Sequence, residues 1–269
     1  MNTVSTASIA GMVFSLIISV GLPIILLIAA KKKTNAKISS FFIGAATFVL
    51  FALVLEQILH FAVISATGGD LTGNSIKSNI WLYGIYGGLA AGIFEETGRF
   101  VAMRFIMKKN LTKENALMYG IGHGGIEAIL VAGLGAVFNI ATSLMINAGQ
   151  LDMMLGTLDE TTKAATMETL SQLCTLPSYT FFMSGIERIS AIILHIALSY
   201  FVYRAVKEKR IGFYGAAVFL HALVNFSAVI ANAYLPVIAT EAIIFAMSVI
   251  SAIAAYRMYH SGPSVKEKQ

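Results

Sequence analysis

Charged and imidazole side chains set inside otherwise apolar stretches hold most of the reactive chemistry of this chain. They are Glu95-Glu96-x-x-Arg99, His123-x-x-x-Glu127, Glu187-Arg188 with His195, and His221-x-x-x-Asn225. Residues three or four apart share a helix face. Glu95 or Glu96 can therefore pair with Arg99, His123 stands over Glu127, and His221 stands over Asn225. A charge at the centre of a bilayer costs at least about 2.5–3.5 kcal/mol, so this density implies a buried polar site. Hydrolysis there needs a water, a base and a group that stabilises the oxyanion. Glu95 or Glu96 can supply the base, and His123, His195 and His221 can bind zinc, whose water becomes the nucleophile. Alternatively, His and Asn225 hold the oxyanion while a Glu activates water without metal. Spacing does not choose between the two, and the chain has no His-Glu-x-x-His helix.

The elements that must position these groups are membrane spans. The 269 residues are 57% hydrophobic and 12% charged, and the mean hydropathy is +0.77. These values lie outside the soluble globular range and imply an all-α, polytopic helical bundle of one integral membrane domain over 1–269. Seven runs reach the roughly 20 apolar residues that a span needs: 6–30, 38–62, 80–107, 116–148, 178–204, 212–233 and 235–258. Met1-Asn2-Thr3-Val4-Ser5 lacks the basic start of a secretory signal, so the first run reads as a retained helix. A lone cysteine, Cys174, excludes an intrachain disulfide. No nucleic-acid motif is present, and the net charge of +5 reflects membrane topology.

Basic residues follow alternate spans: Lys31, Lys32, Lys33 and Lys37; Lys108, Lys109 and Lys113; Arg204, Lys207, Lys209 and Arg210; Arg257, Lys266 and Lys268. The opposite loops carry only Lys77 and Lys163 beside Asp70, Asp152, Asp159, Glu160 and Glu168. The positive-inside rule places the N-terminus outside and the C-terminus in the cytoplasm. The loop at 149–177, opened by Met153, Met154, Leu155 and Leu158, has room for short amphipathic helices on the membrane surface. Counted at 1.5 Å per residue, Glu96, His123, His195 and His221 fall roughly 10–15 Å from the cytoplasmic ends. Glu127 and Asn225 lie one turn deeper, so four helices contribute to one slab. Glu56, Glu187 and Arg188 count to a second, outer layer, as an ion pair locking spans two and five. Glycines allow close approach, with Gly88-x-x-x-Gly92 before the Glu pair and Gly120, Gly122, Gly124 and Gly125 around His123.

Glu95-Glu96-Thr97-Gly98-Arg99, Gly122-His123-Gly124-Gly125-Ile126-Glu127 and His221-Ala222-Leu223-Val224-Asn225 together resemble the YhfC family of bacterial membrane peptidases. That family belongs with the type II CAAX prenyl endopeptidases and the bacteriocin-processing (Abi) proteins. Their shared order is a Glu-Glu…Arg helix, an aromatic-x-x-x-His helix and a His-x-x-x-Asn helix. Tyr119-x-x-x-His123 and His221-x-x-x-Asn225 match the second and third, and the resemblance covers about 80–260. It implies an intramembrane endopeptidase of the bacterial plasma membrane that cleaves membrane-associated protein or peptide substrates. A Glu of the 95/96 pair would be the base, and His123, His221 and Asn225 would bind metal or stabilise the oxyanion. His195 and Glu127 are additional here. The group places three residues between Glu-Glu and Arg where this chain has two, which turns Arg99 by roughly 100°. An ion or small-molecule transporter is the main alternative, because intramembrane acids and histidines also build ion pathways. A catalytically silent scaffold, such as the APH-1-type subunit of gamma-secretase, is another.

Overall fold

Long apolar runs in a membrane satisfy their backbone polar groups internally as helices, and every expected span is helical in the computed structural model, which describes residues 3–66, 76–151, 155–156 and 158–261. Asp70, Asp152, Met153, Met154, Lys266 and Lys268 lie outside the described residues. The helices are α1 (Thr6–Lys33), α2 (Ile38–Ala66), α3 (Ile80–Val101), α4 (Lys113–Asn147), α5 (Glu160–Thr175), α6 (Ser178–Glu208), α7 (Gly212–Tyr234) and α8 (Val237–Ser261). Among the described residues there is no strand. π-Helical segments interrupt α2 at Phe51–Glu56 and α4 at Ala128–Gly133, and a third follows α3 at Ala102–Ile106.

Six of these helices are long and apolar enough to cross a membrane. The helix α3 is the expected span outside that group. Its 22 residues reach about 33 Å, but it is two-faced. Trp81, Leu82, Ile85, Leu89 and Ile93 point outward, whereas Glu95, Glu96 and Arg99 are buried with its glycines. The same inversion recurs elsewhere: Ile25, Phe61, Phe138, Phe219 and Ile250 are 57–73% exposed, while His123 is fully buried. Lipid is the solvent in which outward apolar and inward polar groups are both stable. The chain is a multi-pass membrane protein.

The chain divides into two compact units, Met1–Leu22 with Glu127–Ile189, and Pro23–Ile126 with Ser190–Gln269. The first has a core of Val4, Met12, Ile146, Leu170, Leu173 and Phe181. Leu170 and Leu173 belong to α5, so the long loop holds a helix whose leucines are buried in that core. Asp159 caps α5 by accepting from the Thr161 and Thr162 backbone N–H groups at 3.1 and 3.0 Å. The bond from the Thr162 hydroxyl holds the Asp159 carboxyl below its usual range. The second unit packs Met103, Tyr119, Leu198, Val202, Val224 and Ile244 at its centre.

Candidate active site and metal centre

Helix α3 begins where Asn79 accepts from the Trp81 and Leu82 N–H groups, both at 3.1 Å. Along it, Gly88 and Gly92 allow the backbone of α7 to touch. A Cβ on Gly88 would lie 2.5 Å from the Ala222 carbonyl oxygen, and one on Gly92 would lie 2.8 Å from that of Val218. This contact delivers Glu95 and Glu96 to His221. On α4, a Cβ at Gly120 would lie 2.8 Å from Ile196 Cα, and one at Gly124 would lie 3.1 Å from Ile192 Cα, which brings His123 beside His195 on α6. Gly122 meets the Phe41 carbonyl of α2 directly. Gly88→Leu is therefore expected to push α3 off α7 and destabilise the fold by about 1–3 kcal/mol or more. A wild-type melting temperature for that variant in detergent would remove the close approach as the device that aligns the site.

Six predicted site residues meet inside the second unit. Glu96 and Arg99 are fully buried, and Glu95, His195 and His221 are at most 7% exposed. Arg99 Nη1 lies 3.1 Å from both Glu96 oxygens, and Arg99 Nη2 donates to His195 Nδ1 at 2.9 Å. His221 donates from Nδ1 to Glu96 Oε1 at 2.8 Å, and His123 donates from Nε2 to Glu95 Oε2 at 2.9 Å. His221 Nε2 stands 3.9 Å from Glu95 Oε1. The imidazoles adjoin, with ring centroids 4.7 Å apart for His123 and His195 and 5.3 Å for His195 and His221. Arg99 reaches the cluster despite its shortened spacing, because its long side chain spans to α6. The two carboxylates face one guanidinium, so the cluster has an excess of one negative charge when the imidazoles are neutral.

Glu127 and Asn225, the other expected site residues, are not among these six. Glu127 belongs to the first unit and accepts from Arg188 Nη1 at 3.1 Å, and Arg188 also pairs with Glu187. The locking pair expected between spans two and five is thereby corrected: Arg188 is held by its neighbour and by α4, and Glu56 pairs with His60 at 3.2 Å. Asn225 is half-buried, one turn beyond His221, and among the described residues no hydrogen bond joins it to the cluster. Glu56 is the residue that depth counting assigned to a separate layer. It is 7% exposed at the end of a π-helical segment. Its signal in the sequence is Glu56-x-x-x-His60, a helical acid–imidazole pair in an apolar run.

Glu95, His195 and His221 each offer one donor atom, all within 4.8 Å of one another. Two imidazoles and a carboxylate form a known catalytic zinc set, whose tetrahedral donors stand about 3.4 Å apart. His221 fits best. Its Nδ1–H is committed to Glu96, which leaves the Nε2 lone pair toward Glu95, as in carboxylate-oriented metal histidines. His195 fits once Arg99 withdraws, because its Nδ1 lone pair now accepts from Arg99 and a neutral ring then carries its proton on Nε2. The donor chemistry and the excess negative charge both suit a divalent cation.

A family model described as YhfC intramembrane metalloprotease matches residues 18–248. This chain belongs to the YhfC family. The match begins in α1, well before the 80–260 segment in which the motifs lie. The chain is also 44% identical over 209 residues to the uncharacterized membrane protein YhfC of Bacillus subtilis (strain 168), covering 78% of this chain and 79% of that relative. No solved structure matches the chain. A YhfC-family metalloprotease implies a metal and peptide substrates, and Glu95, His195 and His221 supply a donor set of the right kind.

Proposed function

We propose that this chain is a metal-dependent intramembrane endopeptidase in which Glu95 carries the proton and Glu96 positions His221. The observation that carries this reading is the convergence of Glu95, His195 and His221 from three helices inside a buried cluster of excess negative charge. The alternative roles of the two glutamates separate on hydrogen bonding. The oxygens of Glu96 face Arg99 and His221, and the residue is fully buried. Glu95 is 7% exposed, accepts from His123 through Oε2 and presents Oε1 toward His221 Nε2.

A carboxylate has four lone-pair sites, so Glu95 can face a metal through Oε1 and take a proton from an attacking water through Oε2, which His123 orients. The hydroxide adds to the peptide carbonyl carbon. As the C–N bond breaks, Glu95 returns the proton to the amine nitrogen, and the products are a carboxyl and an amino terminus. Arg99 supplies positive potential and N–H donors beside the developing oxyanion. A zinc ion held by Glu95, His195 and His221 would supply Lewis acidity and lower the pKa of the bound water. Zinc, the role of His123 in orienting Glu95, and a membrane-associated peptide as substrate are parts of this proposal. The loop charges support a chain with its N-terminus outside.

Metal content of the purified protein tests the donor set. Wild type is expected to bind about one ion per chain, and His221→Ala is expected to lose it while Asn225→Ala retains it. Full metal occupancy in His221→Ala would place the ion elsewhere, and loss in Asn225→Ala would add that residue to the ligands.

A further inference from the structure

The second unit contains a groove of about 290 Å³ where the start of α4, the second half of α6 and the end of α8 converge. Its floor is apolar, formed by Leu117, Ile196, Ala197, Ala252 and Ala255. Three alanines leave the space that larger side chains would fill. The rim is different in kind: Lys113, Tyr200, Tyr256, Tyr259 and His260. The Lys113 ammonium sits 4.1 Å over the Tyr259 ring, and Tyr200 and Arg204 donate to the Met258 carbonyl at 3.4 and 3.0 Å. Lys207 donates to the Leu111 carbonyl at 3.5 Å. These contacts tie the three helices together through Lys113, Arg204 and Lys207, and the exposed Arg257 adjoins Met258 in the chain. The carboxylates on the same helix ends are Glu114 and Glu208, and Glu208 pairs with Arg204. Four cations against two acids leave this end positive.

An apolar slot closed by tyrosines and cations matches one molecule in the surroundings of a membrane protein. We infer that this groove is a binding site for an anionic phospholipid, with an acyl chain along the alanines of α6 and α8 and the headgroup phosphate against Lys113. Tyrosines belong at the depth where headgroup and hydrocarbon meet. Basic pockets between membrane helices recognise anionic headgroups. The inference is independent of hydrolysis, since none of the groove residues belongs to the Glu95 cluster.

Native mass spectrometry of the full chain, extracted from nanodiscs of mixed phosphatidylglycerol and phosphatidylcholine, tests it. One phosphatidylglycerol is expected to remain bound with a preference over phosphatidylcholine of about fivefold per cation engaged. Lys113→Gln should lower that preference by about the same factor, and Ala252→Trp, which fills the slot, should abolish retention of either lipid. Equal retention of the two lipids by wild type overturns the inference without any variant. Retention unchanged in Ala252→Trp, or a dimer of wild type that this substitution dissociates, overturns it too, the latter by assigning the groove to a second copy of the chain.

Discussion

Glu95→Gln is expected to lower peptide hydrolysis by about 10²–10⁴-fold, the range for removing a positioned acid–base group, while the protein remains folded. The substitution keeps the shape and the carbonyl oxygen that can accept from His123 Nε2, now 2.9 Å from Glu95. What it removes is the negative charge, with its share in holding a metal beside His195 and His221, and the capacity to take and return a proton. The measurement is a comparison of new protein N-termini in cells expressing wild type or Glu95→Gln at matched levels. Termini mapping near membrane segments should appear with wild type and vanish with the variant. Identical termini in both would remove Glu95 from the chemistry. Because Gln is nearly isosteric, loss of cleavage with an unchanged melting temperature separates a chemical role from a structural one.

The opposite signature is expected one residue along. Glu96→Ala should destabilise the protein by about 3–5 kcal/mol, the cost of removing one partner of a buried ion pair. Arg99 and Glu96 are both fully buried, and the guanidinium lies 3.1 Å from the carboxylate. Without Glu96, Arg99 keeps its bond to His195, and His221 Nδ1 loses its acceptor. The double variant Glu96→Leu with Arg99→Met should recover much of the loss, because apolar replacement of both partners is often neutral or stabilising. It should nevertheless remain inactive, since His221 is no longer oriented. Unfolding in a mild detergent reads out both effects. A single variant as stable as the double one would show that the pair contributes specificity and no stability.

The membrane architecture was legible in the chain because its signal is local. A span is a contiguous apolar run, and helical spacing alone groups Glu95, Glu96 and Arg99 or His221 and Asn225. The glycines were legible for the same reason: Gly88-x-x-x-Gly92 presents a bare stripe, and the structure uses it to seat α3 on α7. The cluster of Glu95, Glu96, Arg99, His123, His195 and His221 was foreseeable from depth, since charged groups in a bilayer interior must find one another. Partner choice was not legible in the same way: Glu56, counted in one layer with Glu187 and Arg188, pairs with His60 one turn along its own helix.

By itself, then, the sequence determined the helical membrane class, the long helices and the residue types gathered along them, because apolarity and helical period act within one segment. Only the tertiary structure decided who pairs with whom. It gave Glu127 to Arg188 in place of His123, occupied Glu96 with Arg99 and His221, and left Glu95 with His195 and His221 as the set of possible metal donors. Those choices depend on the rotation of each helix about its axis and on which backbones touch. Packing between residues roughly 100 positions apart sets both, and spacing within a helix carries no information about either.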